Sequence, residues 1–124
     1  MRKILIVEDG QDLQRLLQTI LENSGYDVCS ETNGCAIVNN RYEIPDLFII
    51  DKVINVIDGI ALCKFLKLNK QTRHIPVILI SADAEVAEKA QQIGADYFMR
   101  KPVAAYELVT VIESLASDKE RVVR

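Results

Sequence analysis

Apolar runs of strand length recur along the chain at Lys3–Val7, Asp27–Ser30, Leu47–Ile50, Val77–Ile80 and Tyr97–Met99. Between them the apolar positions change period. Leu13, Leu16, Leu17, Ile20 and Leu21 fall on one helical stripe; so do Leu62, Phe65 and Leu66; Val86, Ala90 and Ile93; and Leu108, Val111, Ile112 and Leu115. Gly34–Tyr42 makes the weakest helix, because Asn39 and Asn40 interrupt it. Gly25 and Gly94 follow the ends of two stripes, where a left-handed residue closes a helix. Pro45 and Pro76 precede strands, and Pro102 is expected to precede the last helix, near its first turn, where its missing N–H costs least. Five strands alternating with five helices predict an α/β fold, a doubly wound parallel sheet covered on both faces. The runs Leu-Phe-Ile-Ile and Val-Ile-Leu-Ile suit strands buried on both sides.

The chain has 124 residues, 49% of them hydrophobic and 27% charged, which suits one globular domain and excludes a disordered or fibrous chain. Its net charge of −3 lacks the basic excess of a dedicated nucleic-acid binder. The apolar run after Met1-Arg2-Lys3 is too short for a signal peptide or a membrane span. Cys29, Cys35 and Cys63 form no C-x-x-C pair and are read as small buried hydrophobes in a reducing cytoplasm. The single histidine, His74, reads as a loop residue.

Open α/β sheets bind ligands beyond the carboxyl ends of their strands. Glu8 and Asp9 follow the first run, Asp51 the third, Ser81 the fourth, and Arg100, Lys101 and Pro102 the fifth. Taken singly, each has a plain explanation: a helix cap or first-turn acid for Glu8, Asp9 and Ser81, a turn cap for Asp51, a surface lysine for Lys101. Taken together they converge on one edge. Three neighbouring carboxylates repel, and Mg²⁺, which takes oxygen ligands, removes the conflict. Three acids against one lysine leave a formal −2 there, the charge one such ion cancels. A lysine and a hydroxyl beside a metal suit a phosphoryl group, and a central carboxylate can serve as its nucleophile. This reading makes Asp51 the phosphoacceptor, Glu8 and Asp9 the metal acids, and Lys101 and Ser81 the phosphoryl contacts.

The sequence resembles the receiver domain of two-component response regulators over essentially its whole length. The resemblance rests on Ile-Leu-Ile-Val-Glu-Asp at 4–9, Pro-Asp-Leu-Phe-Ile-Ile-Asp at 45–51, Asp58-Gly59, Ile-Pro-Val-Ile-Leu-Ile-Ser-Ala at 75–82, and Gly-Ala-Asp-Tyr-Phe-Met-Arg-Lys-Pro at 94–102. It implies a flavodoxin-like three-layer fold with strand order 2-1-3-4-5. It also implies Mg²⁺-dependent phosphoryl transfer to Asp51 from the phosphohistidine of a sensor kinase or a histidine phosphotransfer protein, a self-catalysed step outside ordinary enzyme classes. The backbone carbonyl of Val53 then joins the metal ligands, and Ser81 and Phe98 form the switch. A surface on the fourth helix, fifth strand and fifth helix would serve a downstream effector, a removed output domain or a second copy. Residues 1–124 are expected to form one receiver domain, with 117–124 a tail or linker stump. No direct nucleic-acid or membrane partner is expected.

Four positions depart from the usual pattern: Gly10 after the acid pair, Lys52 after Asp51, Asn55 where many members carry Pro, and Phe98, which lacks a hydroxyl. None removes a catalytic group. A P-loop and a G-x-G-x-x-G fingerprint are absent. Two carboxylates after the first strand would repel FMN phosphate, and Val53 stands where a haloacid-dehalogenase-type phosphatase would carry a second acid. The alternative is an interaction module on the same fold that phosphorylation does not regulate, which should not bind Mg²⁺ at this site.

Overall fold

The computed structural model describes residues 3–54 and 57–123, with side chains of the last helix described as far as residue 116. Among these residues five strands and five helices alternate: β1 Lys3–Val7, α1 Gln11–Asn23, β2 Asp27–Glu31, α2 Cys35–Val38, β3 Leu47–Asp51, α3 Gly59–Leu68, β4 Val77–Ser81, α4 Val86–Gln92, β5 Tyr97–Arg100 and α5 Ala105–Val123. The strands form one parallel sheet in the order β2-β1-β3-β4-β5.

Alternation along the strands divides the core in two. Leu5, Val7, Phe48, Ile50, Val77 and Leu79 pack with Ile37, Leu62, Leu66 and Ala90 of α2, α3 and α4. Ile4, Ile6, Leu47, Ile49, Ile78 and Ile80 pack with Leu17 and Leu21 of α1 and Leu108 and Ile112 of α5. β3 and β4 are buried along their whole length, as strands covered on both faces must be. β3 is central, and the chain reverses direction across the sheet at β1, so the crevice between β1 and β3 is the topological switch point.

Gly25 and Gly94 adopt φ +93°. In each case the following residue donates back across the helix end, Tyr26 N–H to the Leu21 carbonyl and Ala95 N–H to that of Ala90. Asn40, at φ +56°, closes α2 in the same way, with Arg41 N–H donating to the Ala36 carbonyl. An asparagine thus does a glycine's work, which limits α2 to little more than one turn.

Pro102 precedes α5, as expected, but lies farther from its first turn than expected: it stands three residues ahead of Ala105, in a loop, after a cis peptide bond. Two expectations change. Cys29 is exposed and Cys35 half-buried, so only Cys63 is the buried hydrophobe expected of all three; Cys29 lies on edge strand β2, where burial alternates. The charged segment from 117 continues the α5 backbone as far as Val123. His74 is an exposed residue of the α3–β4 loop, as expected. Asn55 lies outside the described residues. No helix among the described residues is long and apolar enough to cross a membrane.

Candidate functional site

Parallel strands bring their last residues to one edge. Val7 of β1 pairs with Ile50 of β3, so Glu8 and Asp51 follow side by side. Asp51 pairs with Ile80 of β4, Ser81 follows, and Ser81 pairs with Arg100 of β5, one residue before Lys101. The Lys101 N–H donates to the Ser81 carbonyl at 2.9 Å and carries the pattern one residue past the strand.

Asp51 is 3% exposed. Lys101 Nζ lies 2.5 Å from its Oδ2, and the Val53 N–H donates to Oδ1 at 3.0 Å. The lysine therefore contacts the candidate nucleophile itself, in a charge-assisted pair closed off from most solvent. The plain role foreseen for Asp51, capping a turn, is also realised through Val53.

Glu8 is equally buried, and its Oε2 has no hydrogen-bond partner. Its pKa is pushed up from 4.5 to about 8, first by burial, then by the Asp51 carboxylate; Lys101 opposes this only in part, and Asp9 adds the smallest push. The Gln14 side chain holds the Glu8 backbone carbonyl at 3.0 Å from the first turns of α1. Asp9 is half-buried.

The helix-cap explanations do not hold. The N-cap of α1 is Gly10, that of α3 is Asp58 and that of α4 is Glu85, and none makes a side-chain cap bond. Ser81 is buried, but its Oγ accepts the Asp83 N–H at 3.1 Å rather than bonding to Asp51. Val53 is 66% exposed and touches Asp51 through its N–H. Phe98 is half-buried against the α3–α4 side of the sheet. Its neighbour Tyr97 lies on the α1–α5 side and donates its hydroxyl to Glu107 Oε2 on α5 at 3.0 Å. Lys52 is half-buried and forms no ion pair among the described residues.

Sequence reading missed Gln14 and the Val53 N–H, because neither a side-chain amide reaching a carbonyl six residues back nor a main-chain donor leaves a mark in an apolar pattern.

Among the described residues no group of three or more His, Cys, Asp or Glu side chains is placed to hold a metal ion. The donors nonetheless suit a hard cation. A buried carboxyl oxygen without a donor, beside a second carboxylate, is an acceptor pair that a divalent ion satisfies. Mg²⁺ keeps several waters and needs only one or two carboxylates, so an open site fits it better than a cage.

The sequence profile of the response regulator receiver domain family matches residues 4–113. Among curated relatives, the alkaline phosphatase synthesis transcriptional regulatory protein PhoP of Bacillus subtilis is 34% identical over 122 residues, 96% of this chain and 50% of its own length. The chain thus spans about half of that regulator. Among solved structures, the receiver domain of a signal transduction histidine kinase from Syntrophus aciditrophicus superposes with a TM-score of 0.86 at 36% identity, covering 95% of this chain and 92% of that one. The receiver domain of sensor histidine kinase PA1611 from Pseudomonas aeruginosa, which carries a magnesium ion coordinated in its active site cleft, shares the fold with a TM-score of 0.82 at 24% identity, over 92% and 96% of the two chains. The family profile covers most of the chain, and its strand ends carry the acids, serine and lysine described above: the chain belongs to the response regulator receiver domain family.

Proposed function

We propose that this receiver domain takes a phosphoryl group onto Asp51 from the phosphohistidine of a sensor kinase or a histidine phosphotransfer protein. The observation that carries this reading is the buried Asp51 carboxylate with Lys101 Nζ 2.5 Å from Oδ2. The Val53 N–H occupies Oδ1 and turns Oδ2 toward the lysine, which makes Oδ2 the attacking oxygen. As the Oδ2–phosphorus bond forms, the phosphorus–nitrogen bond of the donor breaks, and its electron pair returns to the imidazole, which takes a proton from water. Lys101 then faces a phosphoryl oxygen instead of Oδ2. Ser81, whose Oγ only accepts a bond from Asp83, has its hydroxyl proton to give to another.

Glu8, Asp9, Asp51 and the backbone carbonyl of Val53 are the groups we assign to hold Mg²⁺. When bound, that ion supplies positive charge against the carboxylates and the phosphoryl oxygens. Glu8 brings a carboxyl whose raised pKa marks how strongly the metal-free pocket disfavours a second negative charge.

Movement of Ser81 toward the phosphoryl group frees space for Phe98 to turn inward. A hollow of about 510 Å³ lies between α4 and β5, with Ala87, Ala90, Gln91 and Phe98 in its wall, so such a turn would reshape the surface of α4, β5 and α5. On this reading that surface meets an effector, an output domain or a second copy of the chain, in the cytoplasm.

The test is labelling with a small phosphodonor such as acetyl phosphate in the presence of Mg²⁺. The wild-type chain is expected to take label and Asp51→Asn to take none. Equal labelling of the two overturns the Asp51 assignment.

A further inference from the structure

α3 begins on Gly59, which is buried and whose N–H donates to the Lys52 carbonyl at 2.9 Å. This bond ties the start of the helix to the residue after Asp51. A β-carbon on Gly59 would lie 2.1 Å from the Asp51 carbonyl oxygen, 2.8 Å from the carbon of that carbonyl and 2.7 Å from Lys52 Cα. All three are backbone atoms, so no side chain can swing aside to make room. At Gly34 the tightest contact is 3.2 Å and is made with the Leu62 side chain; at Gly10 it is 3.7 Å from the Glu8 carboxylate. Positive φ among the glycines belongs to Gly25 and Gly94. Gly59 is therefore demanded by close approach rather than by backbone conformation.

Both sides of this contact are anchored. Leu62, Cys63 and Leu66 of α3 are fully buried in the core. Near the C-terminal end of the helix, Lys67 Nζ bonds the Ile75 carbonyl at 2.8 Å and Asp96 Oδ2 at 2.7 Å. On the other side, Asp51 ends the buried central strand β3 and the Lys52 N–H donates to the Ile80 carbonyl at 2.8 Å. A side chain at position 59 would thus press directly on the peptide that carries Asp51, with no loose neighbour to absorb the clash. The carboxylate has one donor on each oxygen, and a shift of its backbone disturbs both bonds.

We propose that Gly59 is a positioning residue: its bare Cα lets α3 seat on the Asp51–Lys52 peptide and so sets the depth and direction at which the Asp51 carboxylate is presented. This rests on the phosphoacceptor reading above.

The experiment compares the wild-type chain, Gly59→Ala and Cys63→Ala, the last removing a buried group from the same helix that hydrogen-bonds to nothing in the site. Three quantities are read: the urea midpoint, the rate of labelling by acetyl phosphate at saturating Mg²⁺, and the Mg²⁺ affinity of the unlabelled chain by calorimetry. Both variants are expected to lose stability. Gly59→Ala alone should also lose roughly tenfold or more in labelling rate, as misplacement of a reacting group does, and should bind Mg²⁺ more weakly. Labelling and Mg²⁺ binding by Gly59→Ala at the wild-type level, or an equal loss in Cys63→Ala, overturn the inference and leave the phosphoacceptor reading intact. A wild-type chain that takes no label overturns both. Amide spectra of the wild-type chain cover the case in which Gly59→Ala does not fold. On Mg²⁺ titration the Gly59 amide is expected to shift together with those of Asp51 and Val53, and a Gly59 amide that stays in place overturns the inference.

Discussion

In water Glu8 would ionise near 4.5, but burial and the Asp51 carboxylate beside it hold the proton on the folded chain up to about 8. Between these values the unfolded chain has already released a proton that the folded chain keeps. The contribution of Glu8 to stability in the absence of metal therefore falls as pH rises through that window. A divalent cation opposes the loss, because it binds the ionised carboxylate. In EDTA the difference in urea midpoint between Glu8→Gln and the wild-type chain is expected to move in favour of the variant from about pH 5.5 to about pH 8. Mg²⁺ should raise the wild-type midpoint more at the higher pH. A difference that stays level across the window would mean that Glu8 keeps an ordinary carboxylate pKa. Glu8 was legible as an acid at the sheet edge from its place after β1; its unpartnered oxygen was not, since that depends on what packs around it.

The strands were legible as elements because a fully covered strand is a short continuous apolar run, and β3 and β4 are such runs. Each of β2, β3, β4 and β5 extends one residue beyond its apolar run, so Asp51 and Ser81 are the last residues of their strands rather than the first of their loops. Gly25 and Gly94 marked helix ends correctly. Asn40 did the same for α2 but read as a mere interruption, because asparagine adopts the left-handed conformation without announcing it. Pro102 was rightly read as preceding α5, but it stands three residues off the helix because the loop there is longer than the pattern implied. One tie between elements left no local trace. Asp96 Oδ2, just before β5, accepts both the Val77 N–H of β4 at 2.8 Å and Lys67 Nζ of α3 at 2.7 Å. Asp96→Ala leaves the Val77 N–H without its acceptor and is expected to cost about 1–3 kcal/mol, most of it from that buried donor rather than from the half-exposed ion pair. Urea unfolding measures this, and an unchanged midpoint would mean that water replaces the carboxylate at no cost.

At the scale of the molecule, a parallel sheet sends every strand's carboxyl end to the same edge. A list of strand-final residues is therefore already a list of neighbours, and this is why Glu8, Asp9, Asp51, Ser81 and Lys101 could be gathered from positions nearly a hundred residues apart. Contacts made across that edge were not legible: the Gln14 amide on the Glu8 carbonyl, the Val53 N–H on Asp51 and the bare Cα of Gly59 against the Asp51 peptide all depend on how helices settle over the sheet. The opposed faces of β5, Phe98 toward α3 and α4 and Tyr97 toward α5, follow from strand alternation once the sheet is placed. The whole arrangement has a purpose on this account only if Asp51 carries the phosphoryl group. Borohydride reduces an aspartyl phosphate to homoserine, so the most direct measurement is peptide mapping of the chain after treatment with acetyl phosphate and Mg²⁺ followed by reduction. The account predicts homoserine at position 51, dependent on Mg²⁺; reduction at another carboxylate, or none in a chain shown to be folded, would contradict it.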